Sequence, residues 1–215
     1  MRGFIRGAVV LLALSSAAVG CSGGETGGRG GAPLTSAELA DAVLSGKHSG
    51  YEASPQSEPL LEDVDVITAS EPACQPVADL RSVTPKRAAT GTAWAALQVG
   101  DTSAGASVVL TSYPQGEAKA SMNELKAAVA TCKGFTLSSR RGWSERNTLK
   151  ALPPVGIGDE SISFSVVSPQ DPSKGQTVTI VRTGGSRAVY LTGTEGDPIP
   201  AALMKRQHEQ LQKAG

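Results

Sequence analysis

The stretch from Gln115 to Gly134 reads QGEAKASMNELKAAVATCKG, and it decides how the rest of the chain is interpreted. Its residues at positions 118, 122, 125, 129 and 132 are apolar, a spacing that places them on one face of an α-helix. Pro114 precedes the stretch, and Gly134 suits the end of a helix. The sequence therefore predicts a helix that contributes both a buried face and a cysteine, Cys132, available for cross-linking.

The composition indicates one folded domain of ordinary size with tails. The chain has 215 residues, of which 40% are hydrophobic and only 4% aromatic, so the core must come mainly from Val, Leu, Ile and Ala. The net charge is +0, and it would be near −2 without the first 20 residues, which contain Arg2 and Arg6. A nucleic-acid-binding protein would need a basic face. We therefore expect no nucleic-acid partner, and no motif points to a cofactor.

The N-terminus has the parts of a secretory signal peptide, which we assign to residues 1–20. A cationic start is followed by an uncharged apolar run and by small residues before Cys21. The run is shorter than the roughly 20 apolar residues that a membrane span needs. The ending AVGC resembles the lipobox of bacterial lipoproteins, which implies that Cys21 is acylated and becomes the mature N-terminus. The alternative is a plain secreted protein in which this cysteine is coincidental.

A flexible tether, residues 21–33, should connect that anchor to the folded part. Its sequence is rich in glycine and has no large side chain to bury. Twelve such residues would span roughly 20 Å as a random coil. We therefore expect an extracytoplasmic domain, residues 34–215, held close to the outer face of the cell membrane.

The rest of the chain predicts an α+β fold. Thr35 and Glu38 have the spacing of a capping box, which predicts a helix that starts there and ends near Gly46. Residues 47–59, with two prolines, are predicted to be a loop, and a polar loop is expected after residue 139. Runs of period 2 or of β-branched residues predict strands at 62–69 (an edge strand), 89–99, 106–113, 135–139, 162–168, 177–182 and 188–192. A final helix is predicted at 199–213. Short connections between strands favour an antiparallel β-sheet with helices packed on one face.

Two further cysteines predict one disulfide. If Cys21 carries lipid, Cys74 and Cys132 remain in an oxidising compartment, where two thiols usually pair. The alternative is two buried free thiols. No metal site is expected, since two cysteines without a nearby histidine are not a ligand set.

The order of these features resembles a known family. A lipobox and a glycine-rich tether are followed by an LTxxEL helix start, a cysteine before the first long hairpin, and a helix ending in VATCKG at Cys132. A proline-rich link then leads into GIGDES, three strands and a last helix. The arrangement is similar to the extracellular sensor domain of the mycobacterial Ser/Thr kinase H and to actinobacterial lipoproteins that carry this domain alone. The resemblance implies an antiparallel sheet with helices around a cleft. An α/β/α sandwich is the alternative fold.

Residues that could support catalysis are few. The histidines are His48 and His208, and no GxSxG motif supports a Ser–His–acid triad. Asp159 and Glu160 are adjacent, so on a strand their side chains would point to opposite faces, which disfavours a catalytic carboxylate pair. A structural role for Asp159, binding backbone N–H groups of a turn, is the favoured interpretation.

Trp94, Trp143, Arg140 and Arg141 are the candidate ligand-binding residues. A cleft would use the few aromatic side chains available, and arginine suits carboxylate or phosphate groups. The alternatives are core packing for Trp94 and an exposed loop for the two arginines. The sequence thus predicts a non-catalytic ligand-binding or sensor-like module that is monomeric and anchored to the membrane by lipid. A protein-interaction accessory of a membrane partner is the second hypothesis, and a small hydrolase is the third.

Overall fold

The computed structural model describes residues 32–62, 65–100, 102–193 and 199–215, and for residues 102–105 and 174 it describes the backbone alone. The predicted signal peptide, Cys21 and most of the tether lie outside the described residues. Within the described ranges, no helix is long and apolar enough to cross a membrane.

The described residues form an antiparallel sheet of ten strands, which confirms the predicted α+β class. The strands are β1 (Gly46–His48), β2 (Tyr51–Gln56), β3 (Ile67–Ala69), β4 (Gly91–Val99), β5 (Thr102–Ser112), β6 (Gly134–Ser139), β7 (Ser144–Leu152), β8 (Glu160–Val167), β9 (Gln176–Thr183) and β10 (Ser186–Gly193). Their order across the sheet is β1-β2-β4-β5-β10-β9-β8-β7-β6-β3. The long strands β5, β10 and β9 therefore lie in the middle, and β3 is an edge strand, as predicted.

The α-helices of the described ranges are α1 (Ser36–Ala42), α2 (Gln75–Ala78), α3 (Glu117–Thr131) and α4 (Ala201–Ala214). The predicted capping box starts α1. Thr35 Oγ1 accepts a hydrogen bond from the backbone N–H of Glu38 at 3.3 Å, and the Glu38 carboxylate accepts one from the backbone N–H of Thr35 at 2.8 Å. The bonds from Thr35 lower the pKa of Glu38, because they favour the charged carboxylate.

The helices lie on both faces of the sheet, so the prediction that they pack on one face is wrong. α1 and α4 share a core with Val108 and Leu110, whereas α2 and α3 share one with Val109. Successive residues of a strand point to opposite faces, so these two cores are separated by the sheet. The short connections seen in the sequence fix the antiparallel pairing of strands, but they do not determine which face a helix covers.

The predicted face of α3 is buried, and the predicted disulfide is present. The side chains at 118, 122, 125, 129 and 132 are each at most 7% exposed. Cys132 directly follows the helix and is bonded to Cys74, with a Cα–Cα distance of 5.4 Å. The bond ties α3 to the segment that contains α2, and together they cover one face of the sheet.

One stretch predicted as a loop forms strands. Residues 47–59 contain the hairpin β1–β2, although Pro55 lies within β2. Pro55 is opposite Ala95 of β4 but lies beyond the residues that β1 pairs. The polar loop expected after residue 139 is the turn that contains Arg140, Arg141 and Trp143, and it is followed by a strand that was not predicted, β7, whose sequence is SERNTLKAL.

Candidate ligand-binding site

A cavity of about 740 Å³ opens on the face of the sheet that α3 covers. Its floor consists of β4, β5 and β10, and its walls come from α1, α3 and the segments at 56–61 and 76–89. Much of the lining is apolar: Leu60, Leu80, Trp94, Val109, Val189 and Leu191. The size and apolar character are typical of a small-molecule site.

A row of polar side chains crosses the floor. Thr92 of β4 is opposite Thr111 of β5, and Thr111 is opposite Arg187 of β10. Directly opposed residues of antiparallel strands point to the same face, so these three side chains are neighbours. All three line the cavity.

Arg187 is the charged residue of these three, and it is only 6% exposed. Its Nη1 donates a hydrogen bond to Ser121 Oγ of α3 at 2.6 Å, and its Nη2 donates one to the hydroxyl of Tyr113. The guanidinium also lies over the Tyr113 ring, 4.6 Å from the ring centroid, a cation–π contact. Burial lowers the pKa of Arg187, because removal from water penalises the charged form. Arginine nevertheless stays protonated in proteins, so the cavity contains a buried positive charge.

Two directly opposite residues of this row each have a buried polar atom without a hydrogen-bond partner. These atoms are Nε of Arg187 and Oγ1 of Thr111. Buried polar atoms are nearly always satisfied, and leaving one unpaired costs about 1–3 kcal/mol. Both residues line the cavity, so side chains on its floor keep hydrogen-bonding capacity that the described residues do not use.

The other cationic residues at the cavity already have acidic partners. Arg87 Nη2 and Lys86 Nζ bind Glu124 Oε1 at 2.9 and 2.6 Å, and Arg87 Nη1 also binds Glu117. The bonds from Arg87 and then Lys86 lower the pKa of Glu124 to about 2. These four side chains neutralise one another at the rim, in contrast to Arg187.

Arg182, the next residue in the same row, binds two carboxylates. It is opposite Arg187 on β9 and opposite Glu160 of β8. Its Nε is 2.5 Å from Glu160 Oε1, and its Nη1 is 2.9 Å from Asp159 Oδ2. Lys126 of α3 also pairs with Glu160. Arg182 thus belongs to a closed network beside the cavity.

The GIGDES segment positions this network. Asp159 Oδ2 accepts a hydrogen bond from the backbone N–H of Gly184 at 2.8 Å, which confirms the predicted structural role. The expectation that Asp159 and Glu160 point apart is wrong, because Asp159 precedes β8 and both carboxylates reach Arg182. Gly158 has a φ of +74°, and a Cβ there would collide with the carbonyl oxygen of Arg182. Glycine is therefore required at position 158, where the backbone passes close to that of Arg182.

The two tryptophans lie in different places. Trp94 lines the cavity, and its indole N–H donates a hydrogen bond to the carbonyl oxygen of Glu58 at 2.8 Å. It also packs against the core beneath α3, so the binding and packing interpretations both apply to its position. Trp143 packs partly against the same core but does not line the cavity.

The predicted arginine pair also lies away from the cavity lining. Arg140 and Arg141 are exposed in the turn between β6 and β7. Arg141 binds Glu62 at 2.8 Å and Asp65 at 3.1 Å. The bond to Glu62 is the main reason that the pKa of Arg141 is raised. A role for Arg140, Arg141 or Trp143 in binding stays a prediction.

The histidines do not form a triad within the part of the chain that the structure describes. His48 Nε2 bonds to the backbone oxygen of Ser45 at 2.8 Å, and His208 Nδ1 to Thr183 Oγ1 at 2.7 Å. The described residues contain no group of three or more His, Cys, Asp or Glu side chains that could hold a metal ion.

Arg187 and its partners were missed in the sequence. The predicted strand starts at Ala188, two residues after the observed start at Ser186, so it leaves Arg187 out. Its period-2 relation to Val189 is the signal that could have placed it on the buried face of β10. Tyr113 and Ser121 are 74 and 66 residues away from Arg187, and local patterns do not reveal such contacts.

Comparison with known proteins identifies a solved structure with a similar fold. No protein-family model matches the chain, and no curated protein matches it. Among solved structures, it is similar to the extracellular domain of PknH from Mycobacterium tuberculosis, with a TM-score of 0.54 and 15% sequence identity. The match covers 85% of this chain and 97% of that one. The likeness confirms the predicted PknH-like extracellular domain as the fold.

Proposed function

We propose that this protein is an extracytoplasmic lipoprotein whose folded part is a non-catalytic module that binds a small molecule in the cavity over β4, β5 and β10. The observation that carries the proposal is the buried charge of Arg187 in a mostly apolar cavity of about 740 Å³. A cationic group held by hydroxyls in such a place is suited to recognition of a ligand. The fold shared with a kinase extracellular domain and the predicted lipobox support the location.

The cavity favours a ligand-binding role over the alternative of a protein-interaction accessory. A docking surface for another protein would present a large exposed apolar patch. Among the described residues, the most exposed large apolar side chain is Leu60, at 39%, and it lines the cavity. A hydrolase would need His48 beside a serine hydroxyl and an acid, whereas its observed bond is to a backbone oxygen.

Thermal unfolding of the purified full chain with a library of small metabolites tests ligand binding. Val109 lies on the floor, so Val109→Trp should fill the cavity and serve as the matched control. We expect a subset of compounds to raise the melting temperature of the parent but not of the filled variant, because a ligand of the native state alone stabilises it. A library without such a compound would contradict the proposal. Turnover of a substrate that is lost in His48→Ala would replace it with the hydrolase hypothesis.

The intact mass of the protein from the membrane fraction tests the anchor. We expect a chain that starts at Cys21 and carries a lipid-sized addition, because two or three acyl chains hold a protein to a bilayer far better than one. A chain released without lipid would support the plain secreted alternative. Alkylation before and after reduction provides an internal control, since Cys74 and Cys132 should react only after reduction.

A further inference from the structure

We propose that the ligand of the cavity is an amphiphile with one negatively charged head group, a carboxylate or a phosphodiester, held by Arg187, and an apolar body that lies along the cavity. This inference rests on the proposed function, since it names the chemical class that the same cavity would bind.

The negative head group follows from the surroundings of Arg187. Its guanidinium is buried, and its recorded partners, Ser121 and Tyr113, are hydroxyls rather than carboxylates. A buried charge is costly unless it is paired, and arginine presents a fork of donors that matches carboxylate and phosphate oxygens. The unpaired Nε of Arg187 and the neighbouring hydroxyl of Thr111 could both donate to such an oxygen.

A single charge follows from the other ionised groups around the cavity. Arg87 and Lys86 are already bound to Glu117 and Glu124, so they do not add free positive charge. The lining also contains Glu58 and Asp79, which would repel a ligand with several negative charges. One unpaired cation among these acids is suited to a monoanion.

The apolar body follows from the rest of the lining. Trp94, Val109, Val189 and Leu191 form a continuous apolar part of the floor next to Arg187. Each methylene buried there would tighten binding about fourfold, so a chain attached to the head group would add substantially to the affinity. A small inorganic anion could use Arg187 but would leave this surface empty.

The two tryptophans provide a direct binding assay. Trp143 lies outside the cavity lining, so in the full chain carrying Trp143→Phe the remaining tryptophan, Trp94, reports on the cavity. Decanoate and a short-chain phosphatidylglycerol supply the two head groups, decanol is the uncharged counterpart, and inorganic phosphate is the head group without a body. We expect one or both amphiphilic anions to change Trp94 fluorescence saturably, and to bind at least tenfold more tightly than decanol or inorganic phosphate. The ratio of the affinities for decanoate and for the phosphatidylglycerol identifies which head group the cavity prefers.

Variants of Arg187 then test the anchor. Arg187→Met should weaken binding of the amphiphilic anion at least tenfold and leave decanol within about twofold, because it removes a charge-assisted hydrogen bond. Arg187→Lys should bind with intermediate affinity, and Arg182→Met should bind like the parent. Circular dichroism of each variant establishes that it is folded.

The outcomes separate this inference from the proposed function. Decanol binding as tightly as decanoate, or equal anion affinity in Arg187→Met, would overturn the anionic class and leave a ligand-binding cavity. Inorganic phosphate binding as tightly as the amphiphiles would overturn the apolar body. If no amphiphile binds while library compounds protect the parent but not Val109→Trp, this inference alone fails. If the library also gives no such compound, the proposed function fails with it.

Discussion

Arg182 and Arg187 are directly opposite each other on β9 and β10, yet their surroundings differ completely. Arg182 reaches the carboxylates of Asp159 and Glu160, and Glu160 in turn binds Lys126. Arg187 reaches two hydroxyls and has one unpaired nitrogen, although it is the more buried of the two. Like charges directly opposite each other on neighbouring strands repel. Carboxylates offset the charge of Arg182, whereas Arg187 contacts hydroxyls.

The two arginines therefore differ in whether their charge is paired with carboxylates of the described residues. The network of Arg182 is complete within the chain, so it is suited to holding β8, β9 and α3 together. Arg187 has no acidic partner among the described residues, and we propose that the ligand of the cavity supplies one. Stability measurements can therefore separate a structural arginine from a binding arginine without knowledge of the ligand.

The largest expected effect is that of Gly158→Ala, which would displace the carboxylates from Arg182. Alanine at a φ of +74° is strained, and its Cβ would also collide with backbone. We expect a loss of about 3 kcal/mol in the free energy of unfolding, measured with urea. Gly156→Ala is the matched control, since Gly156 has a φ of +66° but nothing within 4 Å of the new Cβ. It should lose only about 1 kcal/mol, and equal losses for both would contradict a special role of Gly158.

Substitution of each arginine by methionine compares the two sites directly. Arg182→Met leaves Asp159 and Glu160 with Lys126 as the remaining recorded cation, and should cost about 2 kcal/mol. Arg187→Met removes a buried charge without an acidic partner, so stability should stay the same or rise by about 1 kcal/mol. Urea unfolding of both variants measures the difference. A larger loss in Arg187→Met than in Arg182→Met would reverse the assignment of the two roles.

Low pH should destabilise the network of Arg182, and this loss in the free energy of unfolding should be smaller than that caused by Arg182→Met. Burial alone would raise the pKa of Glu160, but its bonds with Lys126 and Arg182 prevail and lower it below 4.5. The unfolded state therefore binds this proton at higher pH than the folded state, and the stability that Glu160 contributes is present above pH 4.5 and is lost as the pH falls through the folded pKa. Asp159 still contacts Arg182 when Glu160 is protonated, so the loss should be smaller than that of Arg182→Met.

Urea unfolding between pH 6 and pH 3 measures this effect, with Glu160→Gln as the variant that should lack it. Arg187→Met should show the same pH dependence as the parent, because Arg187 has no recorded carboxylate partner to lose. A flatter profile in Arg187→Met would show that an acid close to Arg187 has been overlooked.

Removal of the Tyr113 hydroxyl tests whether Arg187 depends on the few partners it has. Tyr113→Phe leaves another guanidinium N–H unpaired and should cost about 1 kcal/mol in the free energy of unfolding. The same substitution in the Arg187→Met background should cost close to nothing, because the donor is absent. The double-mutant cycle isolates this coupling. Equal costs in both backgrounds would mean that the hydroxyl acts elsewhere.

The features that could be predicted from the sequence are those that depend on local patterns. The capping box at Thr35, the buried face of α3 ending at Cys132 and the role of Asp159 follow from spacings of a few residues. Trp94 was proposed because aromatic residues are scarce in this chain. It lines the cavity, and its role in binding stays a prediction. Arg187 was not found, because its site is assembled from β5, α3 and β10 and depends on strand register and on the face that each helix covers.

The smallest expected effect concerns the hydroxyl of Thr111, the other unpaired atom in the row. Thr111→Val keeps the shape of the side chain and removes a buried oxygen without a partner, so stability should rise by about 0.5 kcal/mol. Thr179→Val is the matched control on β9, since Thr179 Oγ1 is 3.1 Å from Ser163 Oγ and should lose about 1 kcal/mol. Opposite signs in urea unfolding would show that the Thr111 hydroxyl is unpaired in the folded state, whereas the Thr179 hydroxyl is paired. If Thr111→Val lowers the free energy of unfolding as much as Thr179→Val does, the Thr111 hydroxyl already has a partner in the folded protein and is not available to a ligand.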